Sequence, residues 1–599
     1  MAATKFETSL TRRKLLTGLG ASGALGAAFV ARPDMAIAGA QTLAEYCGLV
    51  TPGQANIGTA SHATPDGGAT PDGSFRSWND PAAWPDGKVP GPHDKAVVTK
   101  HIVASGDVTV GGIEIRQGGL LRYEPNTPTT IQSRGNVVVA GCLTMRPSSH
   151  AVVHTLRFIE VDESKYVGGG MDVLDSDVGL WVVGDGVLDA VGAQRTAWSR
   201  RGDDPTWLPT DELIVAPNAP GDFTSFAPFR KGAAVPTVAG PGGATHATEV
   251  ANLSRNVWIE GTAGGRAHIM FLHCHKPQTI KHIGVMYMGP RQNTSETVRG
   301  NSGTRFLTEA VLGRYGLHFH HCGDGTRGSL VEGVVVRNGG GNAFVPHESH
   351  GITLRDCVAY EVYDNGFWWD LGHVSHDTRL EHCAALMIRT DPDFRGYGTS
   401  GFTMGEGLNN TASDCVAVGV RSGGVNAGGF LWSAAANHKK HNVWAFTDCV
   451  AHNNREIGFA TWQNDVNDHL IERIVSYHNR TGISHGAYQN RYHYRDSVSF
   501  GNDYELAHRA VGPITFERMT FDGDVRIGPH ALESHEECRY LDCRITGKIV
   551  IDEGDEKPGI FHFVSSAKEF DLGPERFEVL RRLSTVKVTN SDGRSFVVG

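Results

Sequence analysis

Beyond its first forty residues the chain has no run of 18 consecutive apolar residues, so no segment is long enough to cross a membrane as a helix. An excess of positive charge is also missing. The 55 Lys and Arg residues stand against 65 Asp and Glu, a net charge of −10 mixed along 599 residues. A nucleic-acid-binding face is therefore not expected. Charged residues make up only 20% of the chain, and no sustained 3.6-residue apolar stripe runs through 250–560, which argues against long helices. Neither His-Glu-x-x-His nor a phosphate-loop string occurs, so zincins and P-loop nucleotide enzymes drop out. Glycine is abundant at 75 residues, the composition of a turn-rich β protein.

Residues 1–40 read as an export signal. Arg12-Arg13 precedes an apolar stretch, Leu15 to Val30, that Gly18, Gly20, Gly23 and Gly26 dilute, and Ala36-Ile37-Ala38 offers a cleavage site. Paired arginines before a weak apolar core resemble a twin-arginine signal, with an ordinary Sec signal as the alternative. A periplasmic or extracellular location is expected, and residues 41–73 read as a linker.

Internal repetition dominates the C-terminal half. The phrase Asp356-Cys357-Val358-Ala359 returns as His382-Cys383-Ala384-Ala385, Asp414-Cys415-Val416-Ala417 and Asp448-Cys449-Val450-Ala451. A second phrase, glycine then an apolar residue, appears at Gly316, Gly366, Gly401, Gly429, Gly458 and Gly482. Two short strand phrases per 23–34 residues match one coil of a right-handed parallel β-helix, whose coils stack about 4.8 Å apart. Cys357, Cys383, Cys415 and Cys449 are then an interior ladder of small apolar side chains and not a disulfide framework. The state of Cys47, Cys142, Cys274, Cys322, Cys538 and Cys543 stays open. The expected organisation is a small β-rich domain with its connection over 74–235, the β-helix over 236–560 and a cap over 561–599, with one helix over Glu575–Leu583.

The segment Ser77-Trp78-Asn79-Asp80-Pro81-Ala82-Ala83-Trp84, followed by Gly87-Lys88-Val89-Pro90 and Asp94, resembles the domain named for its eight glycines in the cell-migration-inducing hyaluronidase and fibrocystin-like proteins. Trp207–Val215, His268-Ile269-Met270 and Gly313-Arg314-Tyr315-Gly316-Leu317-His318-Phe319-His320 extend the similarity over roughly 75–380. The chain departs from that pattern at Pro290 and Gly316, and it has no counterpart of the small α/β module of the animal hyaluronidases. Asp80, Asp86 and Asp94 sit beside Pro and Gly and read as turn residues.

Twelve of the 29 histidines fall between His268 and His382. His318 and His320, two apart on a strand, share a face. His347 and Asp370 follow at one-coil steps, so the four side chains converge. Imidazoles with a carboxylate suit a divalent metal (zinc, manganese or calcium) held by His318, His320 and His347, or a proton-transfer site. Glu348, His350, His373 and Glu406 are near in register. Asp370, His347, Glu348 and Glu406 are the catalytic candidates; Arg314 is expected to clamp a uronate, and Trp369, Trp432 and Trp462 to stack on sugar rings. The resemblance implies a secreted, monomeric glycoside hydrolase acting on a uronate-containing, hyaluronan-like polysaccharide. Two rivals stay open: a polysaccharide lyase on the same fold, and a non-catalytic carbohydrate-binding scaffold.

Overall fold

A computed structural model describes residues 75–598 apart from 299–302, 370–372, 391–398, 422–427, 433–441, 462–467, 486–490, 511–513, 530–536, 552–559, 569–571 and 580–584. The export signal and linker lie outside the described residues. Three long, mostly parallel sheets of 18, 14 and 16 strands wrap a single continuous core, so the all-β parallel β-helix expected from the repeat is what forms.

The repeated phrases explain how each coil turns. Asp356, His382, Asp414 and Asp448 adopt positive φ of 49°, 51°, 47° and 59° and form one corner of successive coils. The cysteine after each corner is fully buried, and Cys357, Cys383, Cys415 and Cys449 are free, as the interior ladder requires. Cys274, Cys322, Cys538 and Cys543 are also buried and outside any disulfide, whereas Cys142 is disulfide-bonded.

The glycine phrase marks a close approach. A Cβ on Gly401 would lie 2.6 Å from the Gly429 carbonyl oxygen and 2.8 Å from the Ala417 Cβ, so the glycine row and the alanine row require each other. The apolar residue after each glycine points inward. Phe344, Phe367, Phe402, Phe430 and Phe459 stack with centroids 4.5–4.8 Å apart and planes within 9° of parallel. Register fixes this spacing, since equivalent residues on paired strands sit one strand spacing apart.

Three expectations need correction. The front segment is not a separate domain. Its strands Lys95–Val98, Gly112–Ile115 and Val137–Val139 are the first rungs of the same sheet that continues through Leu180–Val183, Ile269–Leu272 and Leu317–Gly323. Trp78 and Trp84 pack edge to face at 4.7 Å in the core beside these first rungs. The boundary at 235 falls inside a lobe of four antiparallel strands: Trp198–Ser199, Leu213–Val215, Ala227–Phe229 and Val250–Asn252. That lobe packs on the outside of the sheet through Trp198, Ile214 and Leu253, against Val358, Leu386 and Val416. Finally, the described part of the expected Glu575–Leu583 helix, residues 575–579, is not α-helical. Pro574–Arg576 makes a single 3-10 turn, Phe577–Val579 is a strand, and the chain ends in the antiparallel pair Thr585–Thr589 and Ser595–Val598.

Candidate active site and metal centre

The strand Leu317–Gly323 alternates its side chains across the sheet. Leu317 and Phe319 enter the core, so His318 and His320 point outward together. The next coil supplies Phe344–Ser349, whose His347 lies opposite His320 in register. Outward does not mean exposed here: His318 is 0%, His347 7% and His320 8% accessible.

The cover over His318 comes from a turn and a distant loop. Arg314, fully buried, donates from Nε to Asp177 at 2.7 Å and from Nη2 to the Gly169 carbonyl at 2.8 Å. Its guanidinium also sits 4.7 Å from the Trp181 ring centroid. The Asp177 carboxylate accepts from the Val167 and Gly168 amides, which holds the loop in place. Arg314 is therefore committed to the scaffold, and the uronate clamp expected of it does not fit a side chain with no accessible surface. The same turn presents the Gly313 carbonyl 2.8 Å from His318 Nδ1. A carbonyl only accepts, so Nδ1 carries the proton and Nε2 carries the lone pair.

Three imidazoles thus meet. The ligand atoms of His318, His320 and His347 all lie within 4.8 Å of one another, and the two Nδ1 atoms of His320 and His347 are 3.1 Å apart. Nε2 of His318 and of His320 are buried without a hydrogen-bond partner. Burial, followed by the neighbouring imidazoles, pushes His320 and His347 down to about 2 and His318 well below its ordinary value. All three rings are neutral at physiological pH.

A second, more accessible tier lies against them. Glu348 accepts from His321 Nδ1 and from His373 Nδ1, each at 2.6 Å, and its side chain keeps 39% of its surface. Those two hydrogen bonds hold its carboxyl well below the usual carboxylate range, so Glu348 is ionised. His347, Glu348 and His373 form a second possible ligand set overlapping the first.

The remaining candidates divide. Glu406 is buried at 2%, its backbone bridges Val374 one coil away, and its Oε1 has no partner. His350 does not join the cluster and instead accepts from the His376 amide. Trp369 is fully buried, edge to face with Trp444, and cannot stack on a sugar. Its half-buried neighbour Trp368 lies 5.6 Å from Tyr315, which in turn lies 5.0 Å from His318. Asp370 and Trp462 lie outside the described residues, and of Trp432 only the backbone, in the strand Gly428–Trp432, is described. The string Gly482-Ile483-Ser484-His485-Gly486 matches a nucleophile-elbow pattern; Ser484 sits within the strand Thr481–His485 of the β-helix, and Gly486 lies outside the described residues. Sequence reasoning missed His321 and Asp177. The histidine doublet His320-His321 was the available signal for the first, while the second offered none.

No protein-family model matches the chain. Over 226 residues, 33% of this chain, it is 22% identical to the human cell surface hyaluronidase CEMIP2, and the match spans 15% of that protein's length. Among solved structures it is similar to the tailspike protein gp49 from Pseudomonas phage LKA1, at 11% identity over 81% of this chain and 71% of that chain, with a TM-score of 0.24. It is also similar to the periplasmic alginate epimerase AlgG, at 9% identity over 86% and 82%, with a TM-score of 0.21. Scores of this size carry no argument about activity; the fold rests on the strand pairings themselves.

Proposed function

We propose that the protein is an exported polysaccharide-degrading enzyme, a glycoside hydrolase acting on a uronate-containing glycan, with Glu348 at its centre. The observation that carries this reading is the ionised Glu348 carboxylate held between His321 and His373 on the accessible outer face of the β-helix. Glycoside hydrolysis needs an ionised carboxylate, to attack the anomeric carbon or activate water, and a second group to protonate the leaving oxygen. Glu348 fits the first role. His373, hydrogen-bonded to it, fits the second together with Asp370, the carboxyl group expected one coil further on. Glu406, buried with an unpartnered oxygen and bridged through its backbone to Val374 beside His373, is the further carboxyl group available to this reading. Trp368, half-buried, supplies a flat ring on the outer face in place of Trp369. The similarity to a protein named a hyaluronidase supports this class of substrate.

The test incubates purified protein with hyaluronan, chondroitin and pectate, and follows chain length together with the ultraviolet absorbance of unsaturated uronate. Shortening without that absorbance is expected. Shortening with it would replace hydrolysis by β-elimination. Binding without shortening on every polymer, with divalent metal added, would replace catalysis by a scaffold role.

A further inference from the structure

We infer that His318, His320 and His347 hold a first-row divalent transition metal, zinc being the reference ion, at a three-imidazole site beneath the Glu348 tier. The glycan plays no part in this inference, and binding is testable without any substrate.

Four observations converge. First, the Nδ1 atoms of His320 and His347 face each other at 3.1 Å. Two nitrogens on a tetrahedral zinc with bonds of about 2.0–2.1 Å lie about 3.3 Å apart, so this separation is close to one edge of a coordination tetrahedron. Second, His318 has its Nδ1 proton fixed by the Gly313 carbonyl, which leaves the Nε2 lone pair as its donor. A carbonyl or carboxylate behind a ligating imidazole is the usual device for setting its tautomer. Third, Nε2 of His318 is buried with no partner. An unmade hydrogen bond of that kind costs about 1–3 kcal/mol, so such atoms call for an explanation. Fourth, the nearby carboxylate is already engaged, since Glu348 accepts from His321 and from His373.

The donor set also selects the ion. Calcium takes six to eight oxygen ligands, whereas three neutral imidazoles suit zinc and its transition-metal neighbours. With three protein ligands a fourth position stays open.

Equilibrium dialysis of the full chain, stripped with chelator and reloaded with Zn(II), reads stoichiometry and affinity; Co(II) loading adds the visible absorption of tetrahedral nitrogen coordination. One zinc per chain is expected. H320A should weaken binding by more than the tenfold to hundredfold typical of losing an outer-shell partner, while E348Q should bind within a few-fold of the parent. H318Q serves as a second test of the inner set, and a melting curve on each variant confirms folding. The proposal is overturned by sub-stoichiometric zinc in the parent, by folded H320A and H318Q that bind as the parent does, or by loss of binding in E348Q alone, which would move the metal to the outer tier. Failure of zinc binding would leave glycan cleavage by Glu348 standing, and absence of cleavage would leave the zinc site standing.

Discussion

Arg314 and Asp177, 137 residues apart in the chain, meet at 2.7 Å with both side chains at 0% exposure. This pair ties the loop around Val167–Asp177 to the turn that presents the Gly313 carbonyl to His318. Removing one partner strands a buried charge, which costs about 3–5 kcal/mol. R314M should therefore lower unfolding stability by that amount in denaturant titration. D177N should do comparable damage, because both carboxylate oxygens accept hydrogen bonds, one would become an amide donor facing donors, and Arg314 would lose its counter-charge. Equal stability of R314M and the parent would show that the pair holds nothing in place.

The buried histidines make a second prediction, on pH. In the metal-free protein His318 lies well below its ordinary value, His320 and His347 are pushed down to about 2, and His268 and His508 to about 3, burial being the leading cause each time. In the unfolded chain these rings titrate near 6.5. Below that value the unfolded state binds more protons than the folded one, so stability is present above pH 6.5 and is lost as pH falls from there towards 2–3. Each such ring contributes a slope of about 1.4 kcal/mol per pH unit. Melting temperature should thus fall steeply between pH 6.5 and 5, before the carboxylates protonate. A flat profile across that interval would mean that these rings charge in the folded state.

Much of this architecture is legible in the sequence because each coil repeats one physical solution. Asp356, Asp414 and Asp448 mark a left-handed corner, the following cysteine packs inward, and Gly401 and Gly429 mark where backbones touch the alanine row. The convergence of His318, His320 and His347 follows from alternation within a strand and one-coil spacing between strands. What the repeat does not encode was lost. The lobe that includes Trp198 and Val250 is an insertion within one coil, and its contacts reach over a hundred residues away, as in Trp198 stacking on His382 at 4.0 Å. The front coils lack the Asp-Cys-Val-Ala phrase and so read as a foreign domain. Trp369 was misplaced although parity was available: Phe367 is inward, so Trp368 is outward and Trp369 inward.

Glu348 offers the sharpest catalytic prediction. Its side chain is 39% accessible, so E348Q should fold and melt as the parent does. An amide cannot serve as nucleophile or base, and loss of such a group costs about 10²–10⁴-fold in rate. Polysaccharide cleavage should fall by at least a hundredfold with little change in KM. Should E348Q retain a tenth or more of the parent rate, the chemistry belongs to another carboxylate, and Asp370 becomes the residue to replace.

The stacked phenylalanines give the last prediction. Phe402 is 0% exposed and lies between Phe367 at 4.5 Å and Phe430 at 4.6 Å, with planes within 5° of parallel. Replacing it with alanine removes contacts on both faces at once, and neighbours fixed by strand pairing can relax only partly into the gap. Phe→Ala in a core costs about 3–5 kcal/mol, and the upper half of that range is expected here. F402L, which keeps apolar volume but not the flat stack, should cost less. Because each coil contacts chiefly its neighbours, the loss should appear as local loosening around this rung before the whole solenoid unfolds. Amide exchange read by peptide should show faster exchange in the strands Asn365–Trp368, Ser400–Met404 and Gly428–Trp432 of F402A, with the front coils unchanged. Uniform acceleration along the chain would instead show that the solenoid unfolds as one cooperative unit.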